Sequence, residues 1–583
     1  MKSLLSLNRY LYRYRHRLVL GVVWVILTNL FLIAAPKYIG VAIDDMKTAF
    51  ELSVIFKNVA ISVLLSGASG FFLFLLRRTL IITSRDIEYD LKNDIYLHLQ
   101  SLSLSFFKKN STGDLMARAT NDLSAVRNYI GPSIMYSLNT VFRLLFALSA
   151  MIMISPMLTL YALLPAPILS YSVYRIGQHV HERTRILQQN YSDLTSRVQE
   201  NLSGIRVVKA YTREESEVQR FSVLNDKYYH QNLSLSSLQA TFQMLITGLI
   251  GLSVIIVIWA GGIKVVAHEI TIGQIAEFLI YVGLLSWPMI SIGWVTNMIQ
   301  RAAAAQKRIN EILEIKPEII DTPNCDRTIT TIKGDIEFRN VSFAYPANPD
   351  RLILKNISFQ VPAGTKLAIV GATGSGKSTL VNLIPRLLDP ASGEILIDGK
   401  SIKQLPLSIL RQHIGFVPQD YFLFSDTIRD NITFGVREAS PNQVETAARQ
   451  AAIYEDIMDF PMQFDTMIGE RGITLSGGQK QRTCIARALI RNPRILILDD
   501  SLSAVDTKTE DTILRQLDAA TEGMTTIIIS HRISTVKNCD QIIVLDDGQI
   551  VEQGSHDALL QRDGLYAELY SKQLLEDELS AME

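Results

Sequence analysis

Apolar and polar positions divide this chain in two. Up to about residue 316, long apolar runs with few charges alternate with long polar stretches. Beyond it, short β-rich runs alternate with helical ones. A helix that crosses a membrane needs roughly 20 mostly apolar residues. Six runs qualify, at residues 18–36, 58–76, 134–154, 157–175, 242–263 and 274–296. A few residues around Pro156 separate the third from the fourth, which predicts a tight outer hairpin. The polar stretches 77–132 and 176–240 place apolar residues at helical spacing among many charges and show no clear strand pattern. They are expected to be helices that continue past the membrane. The predicted organisation is a transmembrane domain over 1–315, a polar linker over 316–333 ("KPEIIDTPNCDRTITTIKG" with its two prolines) and an α/β domain over 334–583.

Composition changes this picture little. The chain has 583 residues, 48% apolar, with 57 basic and 57 acidic side chains. A net charge of zero gives no electrostatic reason for a nucleic-acid partner. The basic residues are uneven: Lys2, Arg9, Arg13, Arg15 and Arg17 precede the first apolar run with no acid among them. Positive charge is retained on the cytoplasmic side, so this end is expected there, and six spans return the second half to the cytosol. No cleavable signal is evident. Cys325, Cys484 and Cys539 share no metal-like spacing and read as free thiols in a reducing compartment. Arg143 lies inside the third run, where a charge costs at least about 2.5 kcal/mol, so it should face protein or a water-filled cavity.

The α/β half carries the chemistry. "GATGSGKST", Gly371 to Thr379, follows the apolar strand "KLAIV" and precedes the helical stretch "LVNLIPRLL". This strand–loop–helix context is what a phosphate-binding loop requires. Gly371, Gly374 and Gly376 let the backbone approach phosphate oxygens, and the helix amino terminus adds favourable partial charge. Thr373, Ser375 and Thr379 complete the loop. Lys377 is expected to bridge the outer phosphates of ATP, and Ser378 to ligate Mg2+. "ILILDDS", residues 495–501, reads as a buried strand delivering carboxylates at its carboxyl end, with Asp499 the second Mg2+ ligand. "LSGGQKQR", Leu475 to Arg482, reads by itself as a plausible anion nest at a helix start.

With these motifs together, the chain resembles an ABC transporter subunit of the exporter type, in which membrane and ATPase domains share one polypeptide. The resemblance covers almost the whole chain and implies further roles. "LSGGQ" is similar to the family signature, so Ser476, Gly478 and Gln479 would meet ATP held by the opposite subunit of a head-to-tail dimer. Tyr345 in "VSFAYP" resembles the aromatic residue that stacks on adenine. Gln419 in "VPQD" resembles the glutamine that senses Mg2+. "TMIGERG", residues 466–472, is similar to the exporter-specific loop, and "SLSAVD", residues 501–506, to the loop coupling the two sites. His531, after "TTIIIS", resembles the switch histidine at the γ-phosphate. "FFKKNSTGDLMARATNDLSAVR" (106–127) and "ENLSGIRVVKAYTREE" (200–215) resemble the two intracellular loops whose short helices dock on the ATPase domains.

One position departs from the family pattern. The residue after the Mg2+-binding aspartate is usually a glutamate that polarises water, and here it is Asp500. The resemblance therefore implies a weakened hydrolytic site and a second half-transporter that supplies the glutamate, as in heterodimeric bacterial multidrug exporters. A homodimer in which Asp500 works adequately is the competing expectation. The implied substrate is a small lipophilic or amphipathic compound moved across the lipid bilayer. A lipid flippase, a peptide exporter, or an ATP-gated channel or sensor are the alternatives.

Overall fold

The computed structural model describes residues 2–48, 52–346, 348–469, 475–501, 507–530 and 532–582. The chain divides into two compact units, residues 1–99 with 113–314, and residues 100–112 with 315–583.

The first unit is helical. Five helices are long and apolar enough to cross a membrane: Arg15–Lys47, Leu52–Ser101, Thr112–Ile154, Glu214–Val266 and Ile272–Leu313. The Leu52–Ser101 helix has 50 residues, about 75 Å at 1.5 Å per residue. That exceeds the hydrocarbon core of about 30 Å, so the polar stretch after the second run does continue as helix. The fourth expected span differs. Residues 157–175 are divided between a helix at Pro156–Leu163 and another at Ala166–Ser203, with Leu164 and Pro165 in a turn between them. Pro165 has no amide hydrogen to donate, and its ring crowds the carbonyl one turn back. The outer hairpin before it forms as expected. Ser155 is extended and caps the next helix by accepting from the Leu158 amide, and Pro156 occupies the first turn, where a missing N–H costs nothing.

Charge pairing orders one end of this unit. Arg9, Arg13 and Arg17 recur every fourth residue, and so do Asp86, Asp90 and Asp94. They meet as a ladder: Arg9–Asp94 at 2.5 Å, Arg13–Asp90 at 2.9 Å, and Arg17–Asp86. The arginines are exposed, and each pair contributes at most about 1 kcal/mol.

Arg143 is half-buried and turned toward protein, its Nε donating to Asn29 Oδ1 at 3.4 Å. Asn29 in turn donates to Asn139 Oδ1 at 2.9 Å, so three polar side chains share one network inside the apolar helices. Arg143→Ala removes one donor of that network. It is expected to lower the melting temperature of the detergent-purified protein by a few degrees, as the loss of about 1–3 kcal/mol would. Differential scanning fluorimetry checks this.

The second unit contains two sheets. Strands β1 (Ile336–Ala344), β2 (Leu352–Val361), β4 (Ser392–Ile397) and β5 (Lys400–Ser401) form an antiparallel sheet in the order β2-β1-β4-β5. The six-stranded sheet runs β10-β9-β3-β8-β7-β6, from β3 (Lys366–Val370), β6 (Ile414–Val417), β7 (Ile495–Asp499), β8 (Thr525–Ile529), β9 (Gln541–Asp546) and β10 (Gln549–Gly554). All but the β9–β10 pairing are parallel. Every residue of β7 and β8 is buried, which is why β7 runs apolar from Ile495 to Leu498 and β8 from Ile527 to Ile529 without alternating.

Two segments expected elsewhere belong to this unit. Residues 316–333 are pinned to it: the Leu407 amide donates to Asp321 Oδ1 at 2.8 Å, Thr322 donates to the Lys403 carbonyl at 3.1 Å, and Lys400 pairs with Asp326 at 2.9 Å. Residues 100–112 carry the short helix Leu104–Lys109. Ser103, just before it, and Ser105 within it donate to Glu318 Oε2 at 2.9 and 2.6 Å. Cys325, Cys484 and Cys539 are free thiols.

Candidate functional site

The site forms at the carboxyl ends of parallel strands, the usual crevice of an open α/β sheet. β3 ends at Val370, and the loop from Gly371 turns into the Lys377–Leu383 helix. Gly371 and Gly376 have φ of +150° and +102°, a region that side chains strain to adopt. A Cβ at Gly371 would also stand 2.1 Å from the Leu545 carbonyl oxygen. These glycines are therefore demanded by the turn as well as by any ligand. Gly374, at the tip, has open space where its Cβ would be.

Lys377 is buried, and its Nζ donates to the carbonyls of Gly371 and Ala372 at 2.8 and 2.9 Å. Burial pushes its pKa down, while Asp499 and Asp500 oppose that shift. Ser378 Oγ donates to Asp499 Oδ1 at 3.1 Å, joining the loop to the end of β7. Burial pushes the Asp499 carboxyl up, and the Ser378 hydrogen bond pulls it back. A cavity of about 180 Å³ is lined by Gly374, Lys377, Ser378, Gln419, Asp499 and Asp500, among others. The structure thus brings these expected site residues together, with Thr373, Gly376 and Thr379 on the same wall.

Two tests bear on whether nucleotide and metal fit. Ser375 Oγ is buried in the loop without a hydrogen-bond partner, as in a cradle that expects one. The Ser378 hydroxyl, Asp499 carboxylate and Gln419 amide are hard oxygen donors of the sort Mg2+ takes alongside phosphate and water. Among the described residues no three His, Cys, Asp or Glu side chains cluster as an all-protein metal cage. The donor set therefore suits a metal that arrives with a phosphate.

Asp500 stands with φ +46° and donates its amide to the Ile529 carbonyl at 2.9 Å. Aspartate is several-fold enriched at such left-handed positions among non-glycine residues.

Tyr345 sits just past β1. Its hydroxyl lies 3.1 Å from Thr379 Oγ1, and Phe343 packs edge-on against its ring. Lys108 is a residue that sequence reasoning missed: its ammonium lies over the Tyr345 ring, 4.7 Å from the centroid, from the short helix of residues 104–109. No local pattern marks it, because the contact joins segments more than two hundred positions apart.

The signature residues stand away from this cavity. None of Ser476, Gly478 and Gln479 lines it. Ser476 and Gln479 instead form a capping box on the Gly477–Leu489 helix. Ser476 Oγ accepts from the Gln479 amide at 3.3 Å, and Gln479 Oε1 accepts from the Ser476 amide at 3.0 Å. His531, residues 470–472 of "TMIGERG" and residues 502–506 of "SLSAVD" lie outside the described residues.

Comparison with known proteins accounts for both units. Residues 18–289 match the family described as ABC transporter transmembrane region, and residues 354–503 match ABC transporter. The chain is 38% identical over 561 residues to the probable multidrug resistance ABC transporter ATP-binding/permease protein YheI of Bacillus subtilis, covering 96% of this chain and 95% of that protein. It is 36% identical over 541 residues to the ATP-dependent lipid A-core flippase of Syntrophus aciditrophicus, covering 92% and 89%. A solved structure of a bacterial Atm1-family ABC exporter with ATP bound superimposes with a TM-score of 0.76 at 30% identity, over 96% of this chain and 99% of that one. The chain belongs to the ABC transporters, as a multi-pass protein of the bacterial inner membrane whose cytosolic ATPase domain couples ATP hydrolysis to transport.

Proposed function

We propose that this chain is one half of a two-subunit exporter of lipophilic or amphipathic compounds, with six spans per subunit and a slow hydrolytic site on this chain's own phosphate loop. The observation that carries the asymmetry is Asp500 at the end of β7, on the wall of the cavity that holds Lys377 and Asp499. The backbone there is fixed by the Ile529 carbonyl, so side-chain length sets the reach of the carboxylate. A side chain one methylene shorter than glutamate withdraws it by about 1.5 Å.

Lys377 holds the outer phosphates of ATP, and Tyr345 supports the adenine. Ser378, Gln419 and Asp499 would hold Mg2+, which when bound neutralises charge on the β- and γ-phosphates. Ser476, Gly478 and Gln479 face the partner's nucleotide, consistent with their distance from this chain's cavity. His531 serves as the γ-phosphate switch. Each ATP then contacts both subunits in the closed dimer and favours that state by its differential affinity.

The multidrug name of the Bacillus subtilis relative supports a lipophilic substrate. The flippase relative favours a second reading, in which a lipid is the cargo. Sealed inside-out vesicles holding both subunits separate the two. ATP-dependent accumulation of a lipophilic dye in the lumen is expected. Lipid translocation without dye accumulation supports the flippase, and passive flux gated by ATP contradicts the exporter.

A further inference from the structure

Tyr345 is held on two sides. Its hydroxyl lies 3.1 Å from Thr379 Oγ1 of the phosphate loop, and its ring packs against the buried core of this unit, with Phe343 edge-on at 5.0 Å between centroids. The ring is still only half-buried, so a ligand can reach it from solvent. Lys108 is exposed and comes from that same side, its ammonium 4.7 Å from the ring centroid. A base stacked on the ring lies about 3.5 Å above it, the contact distance of two carbon atoms. The ammonium stands at most roughly 1 Å beyond that plane, too close for both to share the face.

The support under Lys108 is fixed. Ser103 and Ser105 bind Glu318, and Asn110 Nδ2 donates to the Phe106 carbonyl at 2.9 Å, which closes the short helix of residues 104–109. The flexible four-carbon stem of a lysine can nevertheless swing its ammonium aside without moving the helix that carries it.

We propose that Lys108 is a positioning residue that competes with the adenine base for the open face of Tyr345. It thereby sets the affinity of this chain's site for ATP and couples nucleotide entry to the short helix of residues 104–109. The proposal deepens the reading of Tyr345 as the adenine platform and rests on it. An exposed cation–π contact shifts an equilibrium about two- to fivefold. Base–aromatic stacking shifts one about five- to a hundredfold. ATP therefore displaces the lysine, and the lysine lowers affinity without blocking the site. By linkage, whatever draws Lys108 off the ring favours ATP, and ATP favours the displaced lysine by the same factor.

The test uses the full pair with the partner's own phosphate loop disabled, so that binding is read at this chain's site. Equilibrium binding of radiolabelled ATP is measured without Mg2+, where no turnover occurs, and inorganic tripolyphosphate serves as the ligand that has no base. Lys108→Met keeps the length of the side chain and removes its charge. It should tighten ATP about two- to fivefold and leave tripolyphosphate unchanged. Lys108→Arg keeps a cation over the ring and should hold ATP near its wild-type affinity. Tyr345→Leu should weaken ATP, and adding Lys108→Met to it should then change nothing. Unchanged or weaker ATP binding by Lys108→Met, or a gain that tripolyphosphate shares, overturns the proposal while the adenine reading stands. Unchanged ATP binding by Tyr345→Leu overturns both.

Discussion

Asp500→Glu in the assembled transporter is expected to raise ATP hydrolysis at this chain's own phosphate loop by about a hundredfold, the cost that a 1 Å misplacement in an active site commonly carries. The frame around position 500 is rigid. β7 is buried at all five residues, Asp499 pairs in register with Ile529 of β8, and the Asp500 amide bonds the Ile529 carbonyl. A longer side chain therefore extends into the cavity instead of being absorbed by backbone movement. The φ of +46° opposes the gain, since a non-glycine residue pays roughly 1–2 kcal/mol there. Aspartate already bears that strain, so glutamate adds only its smaller tolerance of the region. Single-turnover hydrolysis, with the partner's own site disabled, measures the effect. An unchanged rate would show that side-chain length is not what limits this site.

Lys377→Ala should weaken ATP binding at the same loop by about ten- to a hundredfold. A hydrogen bond to a charged group contributes about 1.5–3 kcal/mol, and each 1.4 kcal/mol is about tenfold in affinity. Lys377 is 6% exposed, so its ammonium acts with little screening by solvent. Its two bonds to the Gly371 and Ala372 carbonyls hold the ammonium beside the cavity. Photolabelling with an azido-nucleotide, resolved by subunit, reads the loss on this chain alone. Unaltered labelling of this subunit would remove Lys377 from the site.

Much of the ATPase unit was legible because its signals are local. A glycine-rich loop between an apolar strand and a helix leaves few alternatives, and "ILILD" reads as a buried strand because both of its faces are covered. The Ser476–Gln479 capping box is likewise a three-residue pattern. Nothing local announces that β8 lies between β3 and β7, or that Lys108 reaches Tyr345, since both depend on distant segments meeting. The break in the fourth membrane run is hidden for a different reason. Averaged hydropathy over 157–175 stays high across Pro165, so an apolar window hides a backbone break that one imino acid imposes. The linker's polar residues carry no local sign of what they bind. Asp321, Thr322 and Asp326 are in fact its attachments.

With the slow site on this chain, as proposed, the transporter works as an asymmetric pair. Steady-state ATP turnover tests it most directly, measured on the purified chain alone and on the pair with the partner's glutamate replaced by glutamine. Little turnover by the chain alone and loss of most turnover in that pair are expected. Robust turnover by the chain alone, abolished by Asp500→Asn, would contradict it.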